Sequence, residues 1–379
     1  MNIRRVEVVG LLGREGQITA SMQNDLNILT GRNGAGKTSL LKLVWYIISG
    51  NILQALREVP FQRVTVNTSN YECTVHKLSG STCKIELIID GERQVFEDAF
   101  DSDGDPFINA EDQANPILIS QGSSVFFPTF RRLEGGFTLT GPSRQGGMER
   151  PRLRNDIEEA LITLSRRMSN EPHTFVSSIS TVDIVGLLLR QYADLSEVYN
   201  RIQQVTSQEI IQRIKAYKSD TQEVRAKPDD GEDIESANSV IDDIRSKVEA
   251  METRRGEIMT PIEGVRSLVE KLFRHTGIKI GTRLSFGDAA KAVSSDALSA
   301  GEKQMLSFIC YNAFYKDSVI FIDEPELSLH VDWQRHLFPI LLAQQSSNQF
   351  IIATHSPFIY SKYPDKEVSI DTDRGDTQS

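Results

Sequence analysis

The amino-acid sequence predicts an α/β fold interrupted by a long helical insertion. Three observations carry that expectation. Near the N-terminus a short apolar strand, Leu26–Thr30, runs into a glycine-rich loop and then a helix. Between about Asn155 and Leu272 the apolar residues recur at 3/4 spacing, the period of helices packed along a seam. Toward the C-terminus two apolar segments, Ser318–Ile322 and Gln349–Ala353, end in polar residues, as buried strands do at the ligand-binding edge of an α/β sheet. Together they imply a mixed sheet with flanking helices, an antiparallel β subdomain and an inserted α-helical coiled-coil hairpin.

Composition sets outer limits. At 379 residues the chain is long for one core, so two subdomains or one domain with a large insertion are expected. No apolar run approaches the ~20 residues that span a bilayer, and Met1–Arg5 opens into an alternating strand without a signal-peptide core. Cys73, Cys83 and Cys310 are too few and too scattered for a disulfide framework or a zinc site, which fits a reducing cytoplasm. The net charge of −10 argues against a surface devoted to nucleic acid. Arg131, Arg132, Arg144, Arg150, Arg152, Arg154, Arg166 and Arg167 nevertheless form a local basic stretch, readable as a nucleic-acid contact or as a solvated face.

Taken in order, residues from Ile3 to Asn27 are β-rich, with Val6–Val9 and Gln17–Ala20 as a strand pair. Gly31-Arg32-Asn33-Gly34-Ala35-Gly36-Lys37-Thr38 then fits G-x-x-x-x-G-K-[ST] without a mismatch. In such a P-loop the backbone of Asn33, Gly34, Ala35, Gly36, Lys37, Thr38 and Ser39 curls around a phosphate at a helix N-terminus. Lys37 reaches the β/γ-phosphates and the Thr38 hydroxyl sits on Mg²⁺. Arg63–Asn67 and Thr82–Gly91 alternate like antiparallel strands, the second closed by an Asp-Gly turn. Asp101–Pro106 lacks the Glu that closes a calcium loop and reads as an acidic turn. Ile117–Gln121 reads as an apolar strand with Gln121 at its tip, placed either to touch a nucleotide-bound water or metal or simply to end the strand.

The helical region holds two seams. Leu188, Tyr192, Leu195, Tyr199 and Ile202 begin the first, which slips before Ile210, Ile214 and Tyr217. Ile234, Ala237, Ile241, Ile244, Val248 and Met251 begin the second, which runs on to Leu272. The acidic break Lys227–Asp233 separates them, so two antiparallel arms of up to ~50 Å are expected, with Pro261 kinking the returning one. Strand character returns at Ile278–Ile280 and Arg283–Phe286.

The last hundred residues carry the rest of the chemistry. Ala297–Gln304 ends a loop and opens a striped helix, where Ser299 and Gly301 offer a hydroxyl and bare backbone to an anion. Asp323 ends its strand where a Mg²⁺ ligand is needed, and Glu324 suits a base that activates water. Ser328-Leu329-His330 follows, then an amphipathic helix through Trp333, Leu337 and Leu341. His355 closes the final apolar strand, at the edge where α/β sheets bind ligands.

In this order the segments resemble the ABC-type P-loop NTPase heads of the SMC and break-repair class, and within it the OLD-like ATPases of bacterial antiphage systems. Gly31–Thr38 stands as Walker A, Leu298–Gln304 as the signature, Val319–Glu324 as Walker B, Ser328–His330 as the D-loop and His355 as the switch histidine. The resemblance implies a head in two halves, 1–154 and 276–379, with the coiled coil 155–275 inserted between them, and it makes Gln121 the Q-loop residue. It implies ATP and Mg²⁺ as cofactors, with Glu324, His355 and Lys37 catalytic and Thr38, Asp323 and Gln121 around the metal. It further implies ATP hydrolysis by a head-to-tail dimer in which Ser299 and Gly301 of one copy close over the γ-phosphate held by Lys37 of the other. The arms are short, no Cys-x-x-Cys apex is present, and the sequence ends soon after His355 without a TOPRIM segment. Phe127–Glu134 is similar to a segment of stand-alone defence ATPases of Septu-, PARIS- or retron-associated systems. The expectation is therefore a sensor or scaffold for a separate nuclease or toxin. The alternative is a DNA-repair or DNA-clamping ATPase, while Glu302-Lys303 and the insertion disfavour a transporter subunit.

Overall fold

The computed structural model describes residues 1–100, 106–129, 160–177, 181–223, 230–272 and 299–370. The chain divides into two units, Met1–Ser180 with Leu298–Ser379, and Thr181–Ala297. The first unit keeps residues beyond 155 because β11 (His173–Phe175) pairs in parallel with β10 (Ser124–Phe127). That short strand follows a helical segment, 160–168, and so hides within a helical texture.

Among the described residues two six-stranded sheets build the first unit. One is antiparallel, in the order β2 (Gln17–Ser21), β1 (Ile3–Val9), β4 (Arg63–Thr68), β5 (Tyr71–Lys77), β6 (Cys83–Ile89) and β7 (Glu92–Glu97). Alternate residues of its middle strands are buried, including Val64 and Val66, Cys73 and Val75, and Ile85 and Leu87. Asp90 (φ 51°) and Gly91 (φ 84°) join β6 to β7, the left-handed pair that a two-residue type I′ hairpin requires. The sequence reading passes over β5, whose Glu72, His76 and Lys77 blur the alternation. The cysteines are free and buried, and burial pushes the Cys73 and Cys310 thiols up to about 12.

The other sheet is wholly parallel, in the order β11, β10, β12 (Val319–Asp323), β13 (Gln349–Ala353), β3 (Leu26–Thr30) and β14 (Glu367–Ser369). Every residue of β3, β10, β12 and β13 is buried, which explains their largely apolar runs, with Asn27 the one polar residue inside a strand and the others at strand ends. Because the strands share one sense, their carboxyl ends lie along one edge. A two-stranded pair, β8 (Ala99–Phe100) with β9 (Pro106–Ile108), completes the strands described. The Gln349 side chain ties the two sheets together: its amide accepts from the Ile3 N–H and donates to the Ile3 carbonyl, each at 2.7 Å.

Helix α1 (Lys37–Ile48) covers the parallel sheet and is anchored by Trp45, whose ring centroid lies 5.3 Å from Phe126 and 5.4 Å from Phe175. Its indole N–H donates to Ser124 Oγ, which also bonds His173 Nδ1 at 2.8 Å. Burial lowers His173 to about 4, so it stays neutral as a core residue. Helix α2 (Ile52–Glu58) follows α1.

Helix α3 (Ala110–Ser120) corrects one expectation: Ile117–Gln121 is not a strand, and Gln121 is the C-cap of this helix. Ala110, Ala114 and Leu118 are buried at i, i+4 and i+8, and that period decides the helix despite Pro116.

In the second unit, helices α4 (Thr181–Glu223) and α5 (Asp230–Leu272), each of 43 residues, pack on one another. Lys247 pairs with Glu209 at 2.7 Å, Arg213 with Asp243 at 3.6 Å, and the Arg255 guanidinium lies over the Tyr199 ring. As one helix is ascended its partners descend the other, so the two are antiparallel. These exposed ion pairs set register more than stability. Tyr192, Leu195, Tyr199 and Ile202 of α4 and Ala237, Ile244, Met251 and Ile258 of α5 are each half-buried along their helices. The expected seam is corrected at its edges: Val240 is buried, whereas Ile241 is 61% exposed, and Val248 and Ile214 also face solvent. Several apolar residues per turn satisfy a 3/4 spacing, and packing selects only one line of them. Pro261 lies inside α5 without ending it, and Asp230–Asp233 are helical. Among the described residues no helix is long and apolar enough to cross a membrane. The expected strands at 278–286, the acidic turn at 101–105, the loop at 227–229 and the arginines at 131–154 lie outside the described residues.

Candidate active site

The carboxyl edge of the parallel sheet gathers residues from four segments. β3 ends at Thr30 and delivers the loop 31–36, in which Gly31, Gly34 and Gly36 all have positive φ. Gly36 is the N-cap of α1 at φ 101°, and a Cβ there would press within 3.2 Å of Leu11 and Leu12, so only glycine fits the turn. Arg14 braces the loop from outside, its guanidinium donating to the Gly34 carbonyl at 2.7 Å. Asn33 and Gly34 are exposed, Ala35, Gly36 and Lys37 buried, and Thr38 and Ser39 half-buried on the first turn of α1. The orphan N–H groups of that first turn give the loop a partial positive charge.

Lys37 donates to the carbonyls of Gly31 (2.9 Å) and Arg32 (3.2 Å), and its Nζ lies 3.4 Å from His355 Nδ1. An ammonium can only donate, so Nδ1 accepts and the histidine's remaining N–H, on Nε2, is a donor. His355 is exposed two residues beyond the end of β13. The sequence thus places Lys37 and His355 318 positions apart, and the sheet brings their side chains together.

Asp323, at the tip of β12, is 1% exposed. One of its oxygens accepts from Thr38 Oγ1 at 2.9 Å and the other from Thr129 Oγ1 at 2.5 Å. Burial raises the Asp323 carboxyl above its usual range, the neighbouring Glu324 adds to the rise, and the two hydroxyls oppose it. Thr129 follows β10, which runs parallel beside β12, and sequence reasoning missed it. The strand-end logic that selects Asp323 and His355 also selects Thr129, once β10 rather than 117–121 is taken as the strand. Gln121 is the corresponding correction. Its carbonyl accepts from Asn70 Nδ2, and Ser123 beside it bonds the Val319 N–H, so it stands at the amino ends of β10 and β12. The strand rise puts that about 13 Å from Asp323, at the wrong edge for a metal or phosphate.

Glu324 follows with φ 48° and ψ 55°, a left-handed conformation that costs a non-glycine residue roughly 1–2 kcal/mol. Its N–H is held by the Ala353 carbonyl at 2.8 Å. The half-buried carboxylate stands next to Asp323 at the sheet edge, where strain of this kind accompanies chemistry. The donor set of Thr38, Thr129 and Asp323 is all oxygen and suits a hard cation that keeps waters and phosphate oxygens as its other ligands. Among the described residues no group of three or more His, Cys, Asp or Glu side chains forms a self-sufficient metal cage.

The remaining expected residues sit at the start of α6 (Ala300–Phe314), where Ser299 is the N-cap. Ser299 and Glu302 form a capping box: the Ser299 N–H and hydroxyl both donate to Glu302 at 2.8 Å, and the Glu302 N–H returns to Ser299 Oγ at 3.3 Å. Gly301 abuts the segment after β12, since a Cβ there would lie 2.6 Å from the Ser328 carbonyl oxygen. Gly301→Ala is expected to lower the melting temperature, because a backbone oxygen must move; overpacking of this kind costs about 1–3 kcal/mol, more than the ~1 kcal/mol of helix propensity gained. Thermal unfolding of the variant checks this, and an unchanged or raised midpoint would contradict it.

A P-loop at a helix N-terminus, a buried strand-tip carboxylate bonded to its threonine, and a histidine beside its lysine define a P-loop ATPase. The family model described as "AAA domain, putative AbiEii toxin, Type IV TA system" matches residues 144–361, and the chain belongs to that family. Over 145 residues the chain is 28% identical to Endonuclease GajA of Bacillus cereus (strain VD045), an alignment covering 32% of this chain and 25% of that protein. The chain thus spans about a quarter of the length of that curated relative. The Smc head domain with an extended coiled coil from Pyrococcus furiosus matches at 11% identity and TM-score 0.38, covering 95% of this chain and 91% of that one. The corresponding head from Pyrococcus yayanosii gives 11% identity and TM-score 0.36, with 95% and 93% covered.

Proposed function

We propose that the protein is an ATP-binding and ATP-hydrolysing head of the SMC/OLD-like type, with α4 and α5 forming its inserted coiled-coil hairpin, and that it serves antiphage defence as a sensor or scaffold for a separate effector. The observation that carries the ATPase part is the meeting of Thr38 with Asp323, and of Lys37 with His355, at one sheet edge. Bound Mg²⁺ supplies charge neutralisation across the phosphates. Thr38 and Asp323 would hold it, with Thr129 in the place expected of Gln121. Lys37 exchanges its loop carbonyls for phosphate oxygens, and the loop N–H groups of residues 33–39 cradle the same phosphates. Glu324 orients the attacking water and accepts its proton, while Nε2 of His355 donates toward the γ-phosphate. Ser299 and Gly301 of a second copy close the site, so that hydrolysis belongs to a dimer or a higher assembly.

Membership of a family described with a putative toxin and the likeness to an endonuclease support a nuclease- or toxin-linked role, with the nuclease or toxin on another chain. The exposed Arg166 and Arg167 favour a second reading, in which the head works on nucleic acid directly. The two readings part in one experiment. The purified chain is expected to hydrolyse ATP with Mg²⁺, to leave DNA and RNA uncut, and to co-purify with the product of a neighbouring gene when the two are expressed together. Stimulation of turnover by duplex DNA without any co-purifying protein would favour the second reading, and robust cleavage by the lone chain would overturn the scaffold.

A further inference from the structure

The loop that presents His355 is anchored by a residue with no assigned role. Between Thr354, which is 1% exposed, and Ser356, which is buried, the histidine stands out into solvent. An exposed ring at a loop keeps its aim only if the backbone on both sides is fixed. Glu326 does this from the short helical turn Pro325–Leu327 that follows Glu324. One of its carboxylate oxygens accepts the His355 N–H at 2.6 Å, and the other accepts the Thr354 hydroxyl at 2.8 Å. Hydrogen bonds to a carboxylate are the strong kind, and two of them from adjacent residues fix an orientation as well as a position.

Helix α7 (Val331–Ala343) closes the clamp from the other side. Gln334 accepts the Ser356 hydroxyl at 2.6 Å and donates to the carbonyls of Leu329 (2.8 Å) and Glu326 (3.3 Å). Thr354 Oγ1 in turn accepts the Ser356 N–H at 3.0 Å. The residues flanking His355 are therefore pinned to the segment that carries Glu324, and the imidazole is left facing Lys37.

We infer that Glu326 is a positioning residue for His355: its carboxylate holds the 354–355 backbone so that the ring meets the terminal phosphate beside Lys37. This rests on the ATPase reading above. Glu326 touches neither phosphate nor metal in this scheme and acts only through the histidine.

A double-mutant cycle on the full-length chain tests it, using Glu326→Ala, His355→Ala and the pair, with ATP turnover and separate ATP and ADP affinities as readouts. Glu326→Ala is expected to lower kcat by up to roughly 100-fold, the scale of loss from a misplaced group, with KM little changed. Its preference for ATP over ADP should shrink to that of His355→Ala, and the double variant should be no slower than His355→Ala alone. Glu326→Gln keeps one carbonyl acceptor and should recover part of the loss. Thr354→Val, which removes the hydroxyl's bonds to Glu326 and to the Ser356 N–H, serves if Glu326→Ala does not fold, and should lower kcat in the same direction. Wild-type kcat in Glu326→Ala or Thr354→Val, or losses that multiply in the double variant, would overturn the inference and leave the ATPase intact. A wild-type chain that neither binds nor hydrolyses ATP would instead overturn the ATPase reading and the inference with it.

Discussion

Replacing Glu324 with Gln is expected to lower ATP turnover by about 10²–10⁴-fold, the usual contribution of a general base, while ATP binding persists. The substitution preserves the size of the side chain and removes only its capacity to take a proton. Asp323 and Thr38 remain bonded to one another at 2.9 Å, so the metal-holding pair is undisturbed. Lys37→Ala should divide the two functions the other way. Loss of a charge-assisted bond to phosphate costs roughly 1.5–3 kcal/mol, or about 10- to 150-fold in affinity. Equilibrium nucleotide binding with single-turnover hydrolysis separates these outcomes. Wild-type hydrolysis by Glu324→Gln would remove the residue from the reaction and leave its left-handed backbone unexplained.

Ser299→Arg is expected to abolish turnover without emptying the P-loop of the same chain. The substitution puts bulk and charge at the N-cap of α6 and removes the hydroxyl of its capping box, whose loss costs about 1 kcal/mol. Nucleotide binding should survive, because residues 31–39 belong to a different segment. Mixed with Lys37→Ala, the variant should regain activity, since a mixed dimer holds one site with an intact Lys37 and an intact Ser299. Recovered turnover together with a mass measurement of the mixed species checks the shared site. No recovery with mixed dimers present would argue for a site complete within one chain.

The strands that matter most were legible because they are buried on both faces. β12 and β13 each carry four apolar residues in a row and β3 is broken only by Asn27, and their polar ends mark the edge at which Thr38, Asp323 and His355 lie. The antiparallel sheet was harder, since alternation leaves charges on the solvent side and β5 dissolves into them. α3 was misread for a physical reason. Ile117-Leu118-Ile119 satisfies a strand locally, whereas the helix is decided by Ala110 and Ala114 further upstream. That misreading put Gln121, which lies at the amino ends of β10 and β12, in the place beside Asp323 that Thr129 holds. Glu326 could not be found by spacing at all, because its partners come from a segment 28 and 29 residues away that only the sheet brings near. The helical arms show the converse limit: periodicity located them, and packing alone chose Val240 over Ile241.

The strand order also sets a timetable for the growing chain. β3 is made early, yet its neighbours in the sheet are β13 and β14, and β13 starts 319 positions after Thr30. At roughly 5–20 residues per second, Leu26, Ile28 and Leu29 wait some 15–60 s with their faces uncovered. The antiparallel sheet pairs neighbours along the chain and can form at once on the ribosome, while the nucleotide-binding sheet closes only after β13 has been made. Until β13 emerges the nascent chain is thus open to aggregation and chaperone capture at β3, and a product truncated before β13 carries the phosphate loop on a strand that has nothing to pair with.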